Sequence, residues 1–192
     1  ANLPDTTPGV NVTILTFGGV QIAPESSNGT MQAFSLSTGI GQIACSELPD
    51  SGIVIQTPEG VGTVQFTING VSLSLGSTLY IQADDRMWIA VLEGEATVTN
   101  RGITQTVVAG EYTTLQMNTN GTVTSAPAIS QRYSAEDIQG LPLQLLPDEI
   151  EVVPGVGTVP AFTGVTCPYV VRPGENLFRI ALNSGSTVPE IA

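Results

Sequence analysis

From Val10 to Val123, apolar and polar residues alternate with a period of two, and turn-forming residues interrupt the alternation every eight to twelve positions. Successive side chains of a strand point to opposite faces, so this pattern predicts short antiparallel strands, each with one buried face. The clearest unit is Val64, Phe66 and Ile68, then Asn69-Gly70, then Val71, Leu73 and Leu75. Asn and Gly both tolerate the positive φ of a type I′ turn, so this segment predicts a tight hairpin. In the run Met87 to Leu92 both alternating sets are apolar, which predicts a central strand covered on each side.

Further strands are expected at Val10 to Ile14, Val20 to Ile22, Leu79 to Gln82, Ala96 to Thr99, Ile103 to Val108 and Tyr112 to Met117. Roughly ten strands are more than one strongly twisted sheet usually holds, so two packed sheets follow. The expected fold is all-β, an antiparallel β-sandwich or jelly-roll-like domain over residues 10–133, preceded by an extension over 1–9. At Ser134-Ala135-Glu136-Asp137 the pattern changes to a helix N-cap with acidic residues in the first turn, and Gly140 and Pro142 limit the helix to little more than one turn. Leu141 to Val153, apolar and punctuated by proline, predicts an extended strap packed on the sandwich. A Pro/Gly-rich linker over 154–168 then precedes a small α+β segment over 169–192.

Composition narrows the chemistry. Among 192 residues there is no His and no Lys, and the five basic residues, all Arg, are scattered against 17 acidic ones. A Ser-His-Asp or Cys-His nucleophile system, a Schiff base and a phosphate-loop lysine are therefore unavailable. Without a basic surface, nucleic acid is not an expected partner. The apolar runs are too short for the roughly 20 residues of a membrane-spanning helix, so no membrane insertion is expected. What remains is carboxylate chemistry at Asp84, Asp85, Glu93 and Glu95, read either as a glycosidase-type pair or as solvated turn charges, with the second reading preferred. Asp84-Asp85 could also contribute to a calcium site, although only adjacent carboxylates are visible where about six oxygens are needed. Trp88 reads as core filler in preference to a sugar-stacking platform, because it lies within an apolar run. No catalytic residue, metal site or cofactor is expected.

Cys45 and Cys167 are far apart and form no CxxC motif. They read as one disulfide in an exported chain or as two buried thiols. The chain starts at Ala1 without an initiator Met, as a precursor cut after an export signal would. Asn11, Asn28 and Asn120 stand in sequons, making them glycosylation candidates.

Two segments resemble known families. Leu75-Gly76-Ser77-Thr78-Leu79, Val91-Leu92-Glu93-Gly94-Glu95-Ala96-Thr97-Val98 and Val108-Ala109-Gly110-Glu111-Tyr112 follow one another as in the FecR-type β domain of exported bacterial proteins. The resemblance covers about 60–123 and implies a jelly-roll-like sandwich outside the cytoplasm with no catalytic residues. Tyr169-Val170-Val171-Arg172-Pro173-Gly174-Glu175-Asn176-Leu177-Phe178-Arg179-Ile180-Ala181 resembles the opening of a LysM module, whose second helix and closing strand would fall after Ala192. LysM modules bind N-acetylglucosamine-containing glycans, so this resemblance implies a glycan-binding loop at Pro173, Gly174, Glu175, Asn176, Leu177 and Phe178.

These readings lead to a non-enzymatic extracellular structural protein, a homo-oligomer or polymer in a bacterial surface filament, sheath or layer. The alternative is a protein that binds a cell-wall glycan of peptidoglycan or chitin type and anchors to the wall through the LysM-like tail.

Overall fold

The computed structural model describes residues 12–25, 32–40, 50–58, 60 and 62–152. They form twelve strands: β1 (Thr13–Phe17), β2 (Val20–Pro24), β3 (Ala33–Thr38), β4 (Gly52–Gln56), β5 (Val64–Ile68), β6 (Val71–Leu75), β7 (Thr78–Ala83), β8 (Arg86–Glu93), β9 (Glu95–Asn100), β10 (Ile103–Val108), β11 (Glu111–Gln116) and β12 (Gln131–Arg132). Two six-stranded sheets result, one ordered β1-β4-β7-β8-β11-β12 and the other β10-β9-β6-β5-β3-β2. They pack as a sandwich, as the alternation predicts. Phe34, Leu36, Ile53, Ile55, Phe66, Leu73, Leu79, Ile89, Val98 and Leu115 are among the residues that fill the space between them.

The Asn69-Gly70 hairpin forms as expected, with φ of 52° and 78° at its two loop residues. Asn69 also does something the hairpin signal does not reveal. Its side-chain amide accepts from Leu36 N–H at 2.7 Å and donates to Leu36 C=O at 2.8 Å, and its backbone N–H donates to Phe34 C=O at 3.1 Å. The buried amide thus stands in for a peptide group. It extends the pairing of β3 with β5, the one parallel pair in either sheet, whose register covers only Ala33↔Thr67 and Phe34↔Ile68. Arg101-Gly102 builds a second two-residue loop of the same hand, with φ of 53° and 75°.

Three findings depart from the sequence expectations. The strands number twelve, and β4 and β12 among them carry little alternating signal: β4 is buried along its whole length and reads as a continuous apolar run, and β12 is two residues long. The sheets are not purely antiparallel, since the chain crosses to the first sheet as β4 between β3 and β5, and these two strands run parallel. The predicted helix is a single 3₁₀ turn (Glu136–Ile138), and Ser134 is not an N-cap acceptor. Instead the Asp137 carboxylate accepts from Ser134 N–H at 2.6 Å and Ser134 Oγ at 2.8 Å. Just before β2, Gly19 runs so close to the chain that follows β3 that a Cβ there would collide with the Ile40 carbonyl oxygen.

Replacing Asn69 with Asp is expected to leave a carboxylate facing the Leu36 carbonyl and to cost about 3 kcal/mol, whereas Asn69→Gly keeps the turn and costs about 2 kcal/mol. Urea unfolding checks both, with the midpoint falling at unchanged slope.

Candidate functional site

The four carboxylates singled out in the sequence do not converge. Asp84 and Asp85 occupy the exposed β7–β8 turn, beside a cleft of about 200 Å³ lined by Thr38, Asp50, Ser51, Gln82 and Trp88. Glu93 and Glu95 flank Gly94 after β8, where they border a wider cleft of about 650 Å³ with Thr57, Thr63, Ser77 and Thr97. An eight-residue strand spans about 26 Å, so one pair sits at each end of β8. That separation is far beyond the reach of a shared glycosidic bond. Among the described residues no group of three or more His, Cys, Asp or Glu side chains is placed to hold a metal ion.

Trp88 lies on the outer face of the first sheet and is 7% exposed. Its ring meets Tyr80 edge-on at 5.4 Å and Tyr112 at 5.2 Å, and Tyr80 meets Phe17 at 5.6 Å, so an aromatic row crosses β1, β7, β8 and β11. With its neighbours packed this way, Trp88 is core filler. Ile138, Leu141 and Leu146 pack over Tyr80, Trp88, Ala90 and Leu92, so the strap predicted from Leu141 onward does cover β8 on its second side. The strap is held by a second amide: Gln56 Nε2 donates to Asp148 C=O at 2.8 Å, and Gln56 Oε1 accepts from Asp148 N–H at 3.1 Å. Tyr133 Oη donates to Val91 C=O at 3.3 Å, and burial pushes its phenol up to about 12; burial raises Tyr80 further still.

The edges of the second sheet differ from one another. In β2, Glu25 N–H donates to Ala33 C=O, which fixes the phase of the ladder: Gln21 and Ala23 bond inward, while Val20, Ile22 and Pro24 face out. Pro24 has no N–H, so this edge lacks a donor in its outward row. In β10, the two-residue loop closes on Asn100↔Ile103, and Ala109 N–H donates to Gly94 C=O in the same phase. Thr104, Thr106 and Val108 therefore turn their backbone groups outward. The strand reads Ile-Thr-Gln-Thr-Val-Val, without proline or charge, and Ile103 and Val108 are 55% and 44% exposed. Proline, lysine and bulges are the usual guards of a sheet edge, and β10 carries none of the three. It is the best candidate site among the described residues.

The other sequence-predicted positions are quickly placed. Asn120 is exposed in the turn after β11, where its N–H donates to Asn118 Oδ1. Cys45, Cys167, Asn11, Asn28 and the loop Pro173, Gly174, Glu175, Asn176, Leu177 and Phe178 lie outside the described residues. The importance of β10 as an edge could not be read from its alternation, because edge and central strands alternate alike.

No family model matches the sequence, and no curated protein matches it. Among solved structures, two crystal structures of a proposed anti-sigma factor from Parabacteroides distasonis are similar. One has a TM-score of 0.43 at 11% identity, covering 66% of this chain and 54% of the other. The second has a TM-score of 0.38 at 10% identity, covering 64% and 60%. This chain thus spans a little over half the length of those it matches.

Alkaline titration provides a test of the buried phenols. Both folded-state pKa values lie above that of a free tyrosine, near 10, so the fold favours the protonated form. The corresponding stability is fully present below about pH 10 and declines as pH rises through about 12. Absorbance of tyrosinate is expected to show Tyr80 and Tyr133 ionising late, together with the loss of the near-ultraviolet circular dichroism signal. Tyr133→Phe is expected to leave one late-titrating phenol fewer.

Proposed function

We propose that this chain is a non-enzymatic structural subunit of an extracellular bacterial surface assembly, a filament, sheath or layer, and that it joins to neighbouring copies through the edge of β10. The observation that carries this reading is the unguarded β10 edge, an uncharged six-residue strand with outward backbone groups at Thr104, Thr106 and Val108. A row of unpaired peptide groups is a template for another strand. The separation of the carboxylate pairs to opposite ends of β8 supports the non-enzymatic part. The FecR-type resemblance over 60–123 and the Lys-free, Thr-rich composition support a place outside the cytoplasm. The LysM-like motif at 169–181 supports a second reading, in which the same protein also attaches to a cell-wall glycan.

Light scattering and negative-stain electron microscopy test the first reading. The protein is expected to form regular assemblies as concentration rises. Val108→Lys, which puts a charge on the edge without touching the core, is expected to break this joint, so that the regular assemblies no longer form, at an unchanged thermal midpoint. A wild-type protein that stays monomeric at high concentration overturns the proposal. Retention on insoluble peptidoglycan, lost on replacing Asn176 and Phe178, is the outcome expected of the second reading.

A further inference from the structure

The strand that β10 accepts is identified by the charges at its two ends. Arg101, exposed at the tip of the β9–β10 loop, marks one end, and the exposed Glu95, paired with Val108, marks the other, with Glu111 just beyond it. A parallel copy of β10 would set like charges side by side, whereas an antiparallel copy sets the Arg101 end against the Glu95 and Glu111 end. Resting on the proposal that copies of this chain join through this edge, we infer that the partner of β10 is β10 of a second copy, related by a two-fold axis through Thr106.

In this register Thr104 faces the second copy's Val108, Thr106 faces its own counterpart, and Val108 faces Thr104. All three outward residues then exchange hydrogen bonds, and no outward group of the strand is left over. Gln105 Nε2 already donates to Thr106 C=O at 2.8 Å and lies 3.4 Å from Ser130 Oγ. A carbonyl has two lone pairs, so this bond leaves one for the second copy's Thr106 N–H. The contact is isologous and so closes on itself as a dimer with one continuous sheet. Growth beyond the dimer uses a different surface.

Thr106→Cys tests the register. Residues facing each other in a hydrogen-bonded antiparallel pair lie about 5.5 Å apart at Cα, within the range that a disulfide spans. Mild oxidation is expected to give a covalent dimer, with the cross-link located between two residues 106 by mass spectrometry of the digested protein. Thr99→Cys, one strand inward, is expected to give none. Thr106→Pro, which removes only an outward N–H, is expected to abolish the dimer in light scattering while the thermal midpoint holds. Wild-type assemblies that persist in Thr106→Pro, without a 106–106 cross-link in Thr106→Cys, overturn the two-fold pairing but leave assembly standing. A wild-type chain that never associates overturns both.

Discussion

The interaction on which the second sheet depends is the pair of hydrogen bonds between the Asn69 amide and Leu36. The chain leaves this sheet after β3, builds β4 in the first sheet, and returns as β5 alongside β3. The parallel junction thus made is only two residue pairs long. β3 and β2, a third of the sheet, would hang on those two pairs alone. Asn69 lengthens the junction by one peptide equivalent, because a carboxamide carries one acceptor and a donor with nearly the spacing of a backbone unit. An ionised carboxylate, which only accepts, could not serve both Leu36 groups at once. The same turn therefore meets two demands, a positive φ and an amide, and Asn is the residue that meets both.

Gln56 repeats the device on the other side of the molecule. The outer face of the first sheet bears Tyr80, Trp88, Ala90 and Leu92, a surface too apolar to face water. The strap that covers it forms few regular ladder bonds, having only two short 3₁₀ turns. Its backbone polar groups need partners all the same. Gln56 supplies two of them at Asp148, and the Tyr133 hydroxyl bonds Val91 nearby. In a chain with 11% charged residues, polar side chains of neutral charge take over fastening that ion pairs perform elsewhere, and they do so without the desolvation cost of burying a charge.

Much of this was legible beforehand, for identifiable reasons. Hairpins such as Asn69-Gly70 are local, so their turn chemistry is written in adjacent residues. The two-sided apolar run at Met87 to Leu92 disclosed a covered strand, and the proline-punctuated segment after Leu141 disclosed its cover. What stayed hidden is non-local. The amide of Asn69 finds Leu36 33 residues away, and Gln56 finds Asp148 92 residues away. β4 was missed because burial on both faces erases alternation. Of the candidate chemistry, the four carboxylates looked like a group only because they lie close in sequence, and one extended strand between them suffices to send the pairs to opposite ends. The β10 edge was invisible for the opposite reason: its residues are ordinary, and only the sheet order shows that, among the described residues, no strand follows it.

An unguarded edge is a liability unless something limits which strands reach it. Pro24 limits the far edge of the same sheet by removing a donor, so the two edges are not equivalent and β10 is the one left open. Net charge supplies the second limit. At -12, two copies repel at long range, which suppresses random encounter and indiscriminate stacking. The repulsion is overcome locally only where a positive group meets a negative one, and Arg101 at the β10 tip is one of only five positive residues in the chain. A sheet edge that is chemically permissive thus becomes selective through its surroundings: backbone geometry supplies the attraction, and the sparse, placed arginine decides the orientation in which that attraction is realised.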